Sequence, residues 1–187
     1  MFEILCLLRY PGTKQVSSIN IMNLYFDCIN TAKLKNKQII DICLLKKQHW
    51  NFSLKEQLIF FKKYIKNKDL NFFVFKKKKL VGYTLLRKKK LPAKKNYLLF
   101  DTLVVDKKLR KKKVGKKLME FNNTIIKKEK SLSILFCKNS MIAFYKKNGW
   151  KLSKFKFKKN KKNIMYFNLE NSKIKKINKK IIDNISV

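Results

Sequence analysis

Residues 97–128 constrain the fold of this chain more than any other stretch. They read Tyr97-Leu98-Leu99-Phe100-Asp101-Thr102-Leu103-Val104-Val105, then a basic segment, then an amphipathic pattern. The first nine residues are an apolar run of strand length. Val114, Leu118, Phe121 and Ile125 then recur at i, i+4, i+7 and i+11, one face of a helix. Five of the eight residues from Asp106 to Lys113 are Lys and one is Arg. A strand that enters a helix N-terminus through such a loop presents unpartnered backbone N–H groups and the positive end of the helix dipole. It favours an anion, and a phosphate-bearing ligand is expected.

The neighbouring segments fix the order of elements. Ile39, Ile42 and Cys43 give 39–47 a helical period, and Gln48-His49-Trp50-Asn51-Phe52 is a non-periodic connector. Ser53-Leu54-Lys55-Glu56 is a capping box, opening a helix with Leu54, Leu58, Phe61 and Ile65 on one face. Residues 71–75 and 80–86 are strands around a Lys turn at 76–79, and 87–96 is expected as a longer loop. Residues 132–137 form a second apolar strand after the 114–128 helix. A strand–helix–strand unit of this size implies a parallel pair. Residues 141–148 predict a short helix stopped at Asn148-Gly149, and 151–157 with 163–169 a final hairpin.

The ends are less regular. Residues 2–8 could be a strand, closed by Tyr10-Pro11-Gly12, and 21–34 a helix, so 1–37 is expected as an extension. Residues 38–169 are the domain proper. Residues 170–187 form a basic tail whose Ile174, Ile177, Ile181 and Ile185 could share one face. The chain's 187 residues and 45% hydrophobic content suit one domain with one core.

A formal charge of +37 points to a polyanionic partner, with salt-dependent nonspecific binding. Abundant Lys, Asn, Ile and Phe also fit an AT-rich coding bias, and the lysines lie in nearly every loop. Cys6, Cys28, Cys43 and Cys137 form no CxxC pair and sit among apolar neighbours, as buried reduced thiols do. With His49 the only His, no metal site is expected. No apolar run approaches the ~20 residues that span a bilayer, and 2–8 lacks a basic flank for a signal peptide. A cytoplasmic location without membrane association is expected.

The order of helices and strands resembles that of the GNAT (GCN5-related N-acetyltransferase) superfamily over residues 38–169. Arg110-Lys111-Lys112-Lys113-Val114-Gly115 resembles its acyl-CoA pyrophosphate motif, Q/R-x-x-G-x-G/A; Arg110 and Gly115 match, and Lys113 replaces the first Gly. Ala143-Phe144-Tyr145-Lys146-Lys147-Asn148-Gly149-Trp150 resembles the family's F-Y-x-K-x-G-F segment. The resemblance implies an α+β fold: one mixed, mostly antiparallel sheet flanked by helices on both faces. It implies an acetyl-CoA-dependent N-acetyltransferase. The pyrophosphate would lie on Arg110, Lys111, Lys112, Lys113, Val114, Gly115 and Lys116. The pantetheine arm would lie along Leu103, Val104 and Val105, with Asn139 a further CoA contact.

For the chemistry, the resemblance implies Tyr145 as the general acid for the leaving thiolate. A phenol of ordinary pKa ~10 is protonated at neutral pH and can donate. Asp101, the only carboxylate in the 97–105 strand, is the candidate base, beside a water chain. Period two would put it on the face of Leu103 and Val105. The acceptor wall falls on His49, Trp50, Asn51 and Phe52, and the acceptor amine itself stays open. Two other readings stand beside this one. One is a GNAT-like protein that binds CoA without catalysis. The other is a basic nucleic-acid-binding protein, against which most aromatics fall in core strands.

Overall fold

The structure, a computed structural model, describes residues 24–90, 96–156 and 162–168. In chain order these form β1 (Leu24–Asn30), α1 (Asn36–Lys47), α2 (Leu54–Tyr64), β2 (Leu70–Lys76), β3 (Lys79–Lys90) and β4 (Asn96–Val105). Then come α3 (Val114–Lys128), β5 (Leu132–Cys137), α4 (Ile142–Lys147), β6 (Lys151–Lys156) and β7 (Asn163–Phe167). The described residues make a seven-stranded sheet of order β1-β2-β3-β4-β5-β7-β6. Only β4 with β5 is parallel, the junction that the strand–helix–strand pattern predicts. The fold is a single GNAT-like α+β domain, as the sequence implies.

Each central strand buries both faces, so its residues divide between two cores. Phe72, Val74, Leu86 and Phe100 pack with Val114, Leu118, Met119 and Ile126 of α3 and Tyr145 of α4. Phe73, Tyr83, Leu85 and Val104 pack with Ile42 and Leu45 of α1 and Phe61 of α2. Thus α1 and α2 cover one face of the sheet, and α3 and α4 the other. Ser53 opens α2: its hydroxyl accepts from Glu56 N–H at 3.2 Å while the Glu56 carboxylate accepts from Ser53 N–H at 2.7 Å. Cys28, Cys43 and Cys137 are buried. Cys6, the 2–8 strand, the Pro11-Gly12 turn and the isoleucines of the tail lie outside the described residues.

Three expectations change. Residues 24–30 are a strand, not part of a helix, because β2 offers an edge over which Leu24, Phe26 and Cys28 alternate onto the α3-side core. Residues 87–90 continue β3 rather than beginning a loop: Lys88 and Lys90 lie opposite Leu98 and Asn96. The third concerns Asp101. Leu85 pairs with Thr102 and Leu86 with Phe100, so Asp101 is the extra residue of a bulge in β4. The bulge breaks the period-two alternation. Leu103 and Val105 pack toward α3, whereas Asp101 turns to the α1–α2 side.

The β2–β3 turn is two residues long, with Lys77 at φ 47° and Lys78 at φ 63°. Two consecutive left-handed residues define a type I′ hairpin turn, which prefers Asn-Gly. Left-handed backbone costs a β-carbon-bearing residue about 1 kcal/mol or more. Replacing Lys77→Asn with Lys78→Gly is expected to raise stability by about 1 kcal/mol, read as a higher urea midpoint at unchanged m-value.

Candidate functional site

The site begins where β4 loses its neighbour. Pairing with β5 runs from Tyr97 to Phe100 and stops, while pairing with β3 continues to Val105. Asp106 N–H donates to Val81 C=O at 2.9 Å, closing a hydrogen-bonded pair just beyond the strand. In an antiparallel ladder such pairs alternate, so the backbone groups of Leu103 and Val105 point away from β3. They form an open edge of N–H and C=O groups beyond the fork between β4 and β5.

Residues 106–113 carry the chain from this edge to α3. Asp106, 5% exposed, anchors them. Its carboxylate accepts from Lys108 N–H at 2.9 Å and lies 3.7 Å from the Lys79 ammonium. Burial disfavours the charge on Asp106, but the Lys108 amide, Gln48 and Lys79 outweigh it and hold the carboxyl below its ordinary value. Leu109 plugs into the core, leaving Arg110, Lys111 and Lys112 exposed. Lys113 then takes φ 60° and ψ 4°, the left-handed conformation for which a glycine is favoured. Its side chain is exposed.

No side chain caps α3, so the first amide N–H groups, at Val114, Gly115 and Lys116, have no acceptor within the helix. A β-carbon at Gly115 would sit 3.7 Å from Val105 Cγ2 and 3.8 Å from Phe144 Cζ, ordinary contact distances. That space suits the Gly/Ala alternative at this motif position. Around this terminus Arg110, Lys111, Lys112, Lys113 and Lys116 are exposed. Lys116 pairs with Glu120 at 3.6 Å. The donor set fits a pyrophosphate.

Tyr145 stands at the fork on the α3 side, 7% exposed. Its ring meets Phe100, the last β4 residue to pair with β5, edge-on at 6.3 Å. Phe144 and Trp150 flank it at 5.2 and 6.3 Å. Burial pushes its phenol well above the ordinary value, with the Cys137 thiol adding to the shift, so the hydroxyl is protonated at neutral pH. Asp101 lies on the opposite face. Its Oδ2 accepts from Arg87 NH1 at 3.0 Å, and Arg87 NH2 donates to Tyr64 C=O at 3.1 Å. Asn139 follows β5, and its side-chain oxygen accepts from Asn163 at 2.7 Å.

The connector at 48–52 divides. Gln48 accepts from Lys107 N–H at 3.1 Å, tying the end of α1 to the basic loop. His49 reaches the open edge. Its Nε2 contacts Val105 C=O at 2.9 Å and its Nδ1 contacts Arg110 NH2. A carbonyl only accepts and a guanidinium only donates, so His49 is neutral, with its proton on Nε2. Trp50, Asn51 and Phe52 are exposed. Sequence reasoning missed what stands beside them: Phe60 and Tyr64 of α2, 40% and 42% exposed and 4.9 Å apart, and Lys46. The Lys46 ammonium lies 5.8 Å from the Trp50 ring and 5.1 Å from that of Phe60. Burial lowers its pKa while Asp101 acts in the opposite direction. The i, i+4 spacing of Phe60 and Tyr64, off the buried stripe, was the available signal.

Among the described residues no three His, Cys, Asp or Glu side chains converge as a metal site. No described helix is long and apolar enough to cross a membrane.

A fork between parallel strands with an uncapped helix at its mouth belongs to the GNAT-like α+β fold. Residues 68–152 match the family described as acetyltransferase (GNAT) domain, and the chain carries a GNAT domain. No curated protein matches the sequence. Among solved structures, the fold is similar to Escherichia coli ElaA: 15% identity, TM-score 0.61, covering 76% of this chain and 97% of that one. It is similar to the PaiA N-acetyltransferase of Thermoplasma acidophilum in complex with coenzyme A: 19% identity, TM-score 0.54, 78% of this chain and 98% of that one. A third is Arabidopsis thaliana Naa50 with a bisubstrate analogue: 14% identity, TM-score 0.57, 78% and 99%.

His49 offers a direct check. Burial, then Arg110, lowers its pKa from the ordinary 6.5. Folded His49 therefore holds its proton more weakly than the unfolded chain does. The contribution of its two contacts is in place above pH ~6.5 and is lost as pH falls through the lower folded value. Long-range nitrogen–proton NMR is expected to show the Nε2–H tautomer at pH 7.5 and a titration midpoint below 6.5. A midpoint at or above 6.5 contradicts the paired geometry.

Proposed function

We propose that the protein is an acetyl-CoA-dependent N-acetyltransferase acting on a primary amine. The observation that carries this reading is the open β4 edge beside the uncapped, lysine-ringed start of α3. An extended thiol arm can pair with such an edge as an added strand, while phosphates accept from the helix amides. Arg110, Lys111, Lys112, Lys113 and Lys116 would add charge-assisted contacts. The free groups of Leu103 would bind the arm, Val105 C=O already being engaged by His49. Asn139 keeps its amide N–H groups for a further contact.

The co-substrate supplies an activated acetyl group as a thioester. Tyr145 gives its phenolic proton to the departing sulfur as the carbon–sulfur bond breaks and the carbon–nitrogen bond forms. The nitrogen gives up one proton in the same exchange, which Asp101 or a water chain accepts and solvent returns to Tyr145. A neutral phenol is the right species for this step, and its burial excludes water from the reacting sulfur. The acceptor would enter along His49, Trp50, Asn51 and Phe52, with Phe60 and Tyr64 extending that wall. Aromatic rings already stabilising the Lys46 ammonium suit an amine carried on a cationic or apolar body.

Calorimetric titration with acetyl-CoA at moderate salt is expected to give saturable one-to-one binding that outlasts added salt. Binding that vanishes with salt, and that an unrelated polyanion matches, would sink the reading. Tyr145→Phe is expected to lower kcat by about a hundredfold, with KM for acetyl-CoA unchanged. Unchanged turnover in that variant would remove Tyr145 as the acid.

A further inference from the structure

The other end of β4 carries a second concentration of charge. A cleft of about 820 Å³ opens between the end of α2, the start of β4 and the end of α3. Lys62, Lys66, Lys68, Lys88, Lys89 and Lys90 line it, against two carboxylates, Asp69 and Glu129. Both carboxylates are committed. Asp69, 1% exposed, accepts from Lys66 N–H at 2.8 Å and from Lys88 N–H at 2.9 Å, clamping the two walls together. Glu129 pairs with Lys88 at 3.5 Å. Among the described residues no carboxylate forms an ion pair with Lys62, Lys66, Lys68, Lys89 or Lys90.

A charged surface that only keeps a protein soluble spreads its lysines outward. Here they converge on a concavity whose buried acid is spent on backbone. Burial lowers the Lys89 pKa, and Arg87 and Lys66 add to that shift. Asp69 and Asp101 act in the opposite direction on Lys89, and an incoming anion would add to their effect. The apolar lining comes from Ile65, Tyr97 and Leu98, all buried. Among the described residues that line it no exposed ring is offered for a base to stack on, which favours phosphates over bases. Its concavity disfavours a flat bilayer.

We propose that this cleft is a second anion site, which takes a chain of linked phosphates. The residues at 96–98 that line it precede Val105 by enough strand to put it roughly 24 Å from the α3 terminus. It is independent of the acetyl-CoA reading and stands or falls without it. A nucleic-acid backbone and an inorganic polyphosphate share the chemistry, and competition separates them.

The test is fluorescence anisotropy of a labelled oligouridylate across a salt series, with CoA in excess. Lys66→Gln with Lys89→Gln is expected to weaken binding by about tenfold and to reduce the slope of log affinity against log salt by about two. Lys77→Asn with Lys78→Gly removes the same charge at the far end of β3 and is expected to change affinity less than about twofold. Displacement of the oligonucleotide by tripolyphosphate means a short phosphate chain suffices; resistance to it means that a nucleic-acid backbone is needed. Equal weakening by the two variant pairs, or displacement of the probe by CoA, would overturn the proposal.

Discussion

One extra residue in β4 organises this molecule. Asp101 has no partner across β3, and a bulge at that point bends and twists the strand. The strand pairs with β5 up to Phe100 and with β3 alone thereafter. The bulge is braced from the other face: Arg87, 6% exposed, joins Asp101 to the Tyr64 carbonyl at the end of α2. A guanidinium that deep in the protein needs its carboxylate. Removing Asp101 would leave a nearly buried charge unpaired, an effect of several kcal/mol. The same side chain that is the candidate base is thus a structural member, and any loss of activity on changing it mixes two effects.

The second constraint is electrostatic. A loop with five lysines and an arginine in eight positions repels itself, and residues 106–113 hold their shape through Asp106, Leu109 and two left-handed lysines. Asp106 offers the loop a buried negative charge, and Leu109 anchors it in the core. Lys111 and Lys113 supply the turns at φ 62° and 60°. The backbone accepts the steric cost of a β-carbon there, while the side chains project into solvent. Lys113 replaces a glycine of the family motif, yet takes a left-handed conformation that a glycine adopts freely.

Much of this was legible because the strong signals were local. The period of 114–128 gave α3 with its bounds, Ser53 to Glu56 gave the start of α2, and the 97–105 run gave β4. The same periods gave part of the core: Val114 and Leu118 of α3 and Phe61 of α2 are buried, while Phe121 and Ile125 are only partly so and Met119 and Ile126 fill the core beside them. What escaped depended on tertiary partners. Leu24, Phe26 and Cys28 alternate as a strand does, but only the β2 edge decides between strand and helix. The basic 87–90 segment has no strand signature and extends β3 because β4 lies opposite. A bulge leaves no mark in sequence, so period two misplaced Asp101. Among the candidate site residues, the basic loop entering α3 was visible in the sequence as a charged segment before a helical period, whereas Tyr145 came from the family resemblance and not from spacing. The bonds from His49 to Val105 and Arg110 join residues more than fifty positions apart and could not be found from spacing.

Those bonds make the two halves of the site one mechanical unit. Gln48 holds Lys107, and His49 holds Val105 and Arg110. The short connector that bears Trp50 and Phe52 is therefore stitched to the loop that leads into α3. A ligand that draws Arg110 away would break its bond to His49, which is then held by Val105 and by the end of α1. Thermodynamic reciprocity then applies: what one side does to the affinity of the other is returned in equal measure. Ligands on the two sides of this junction would not bind independently where either one disturbs these three hydrogen bonds.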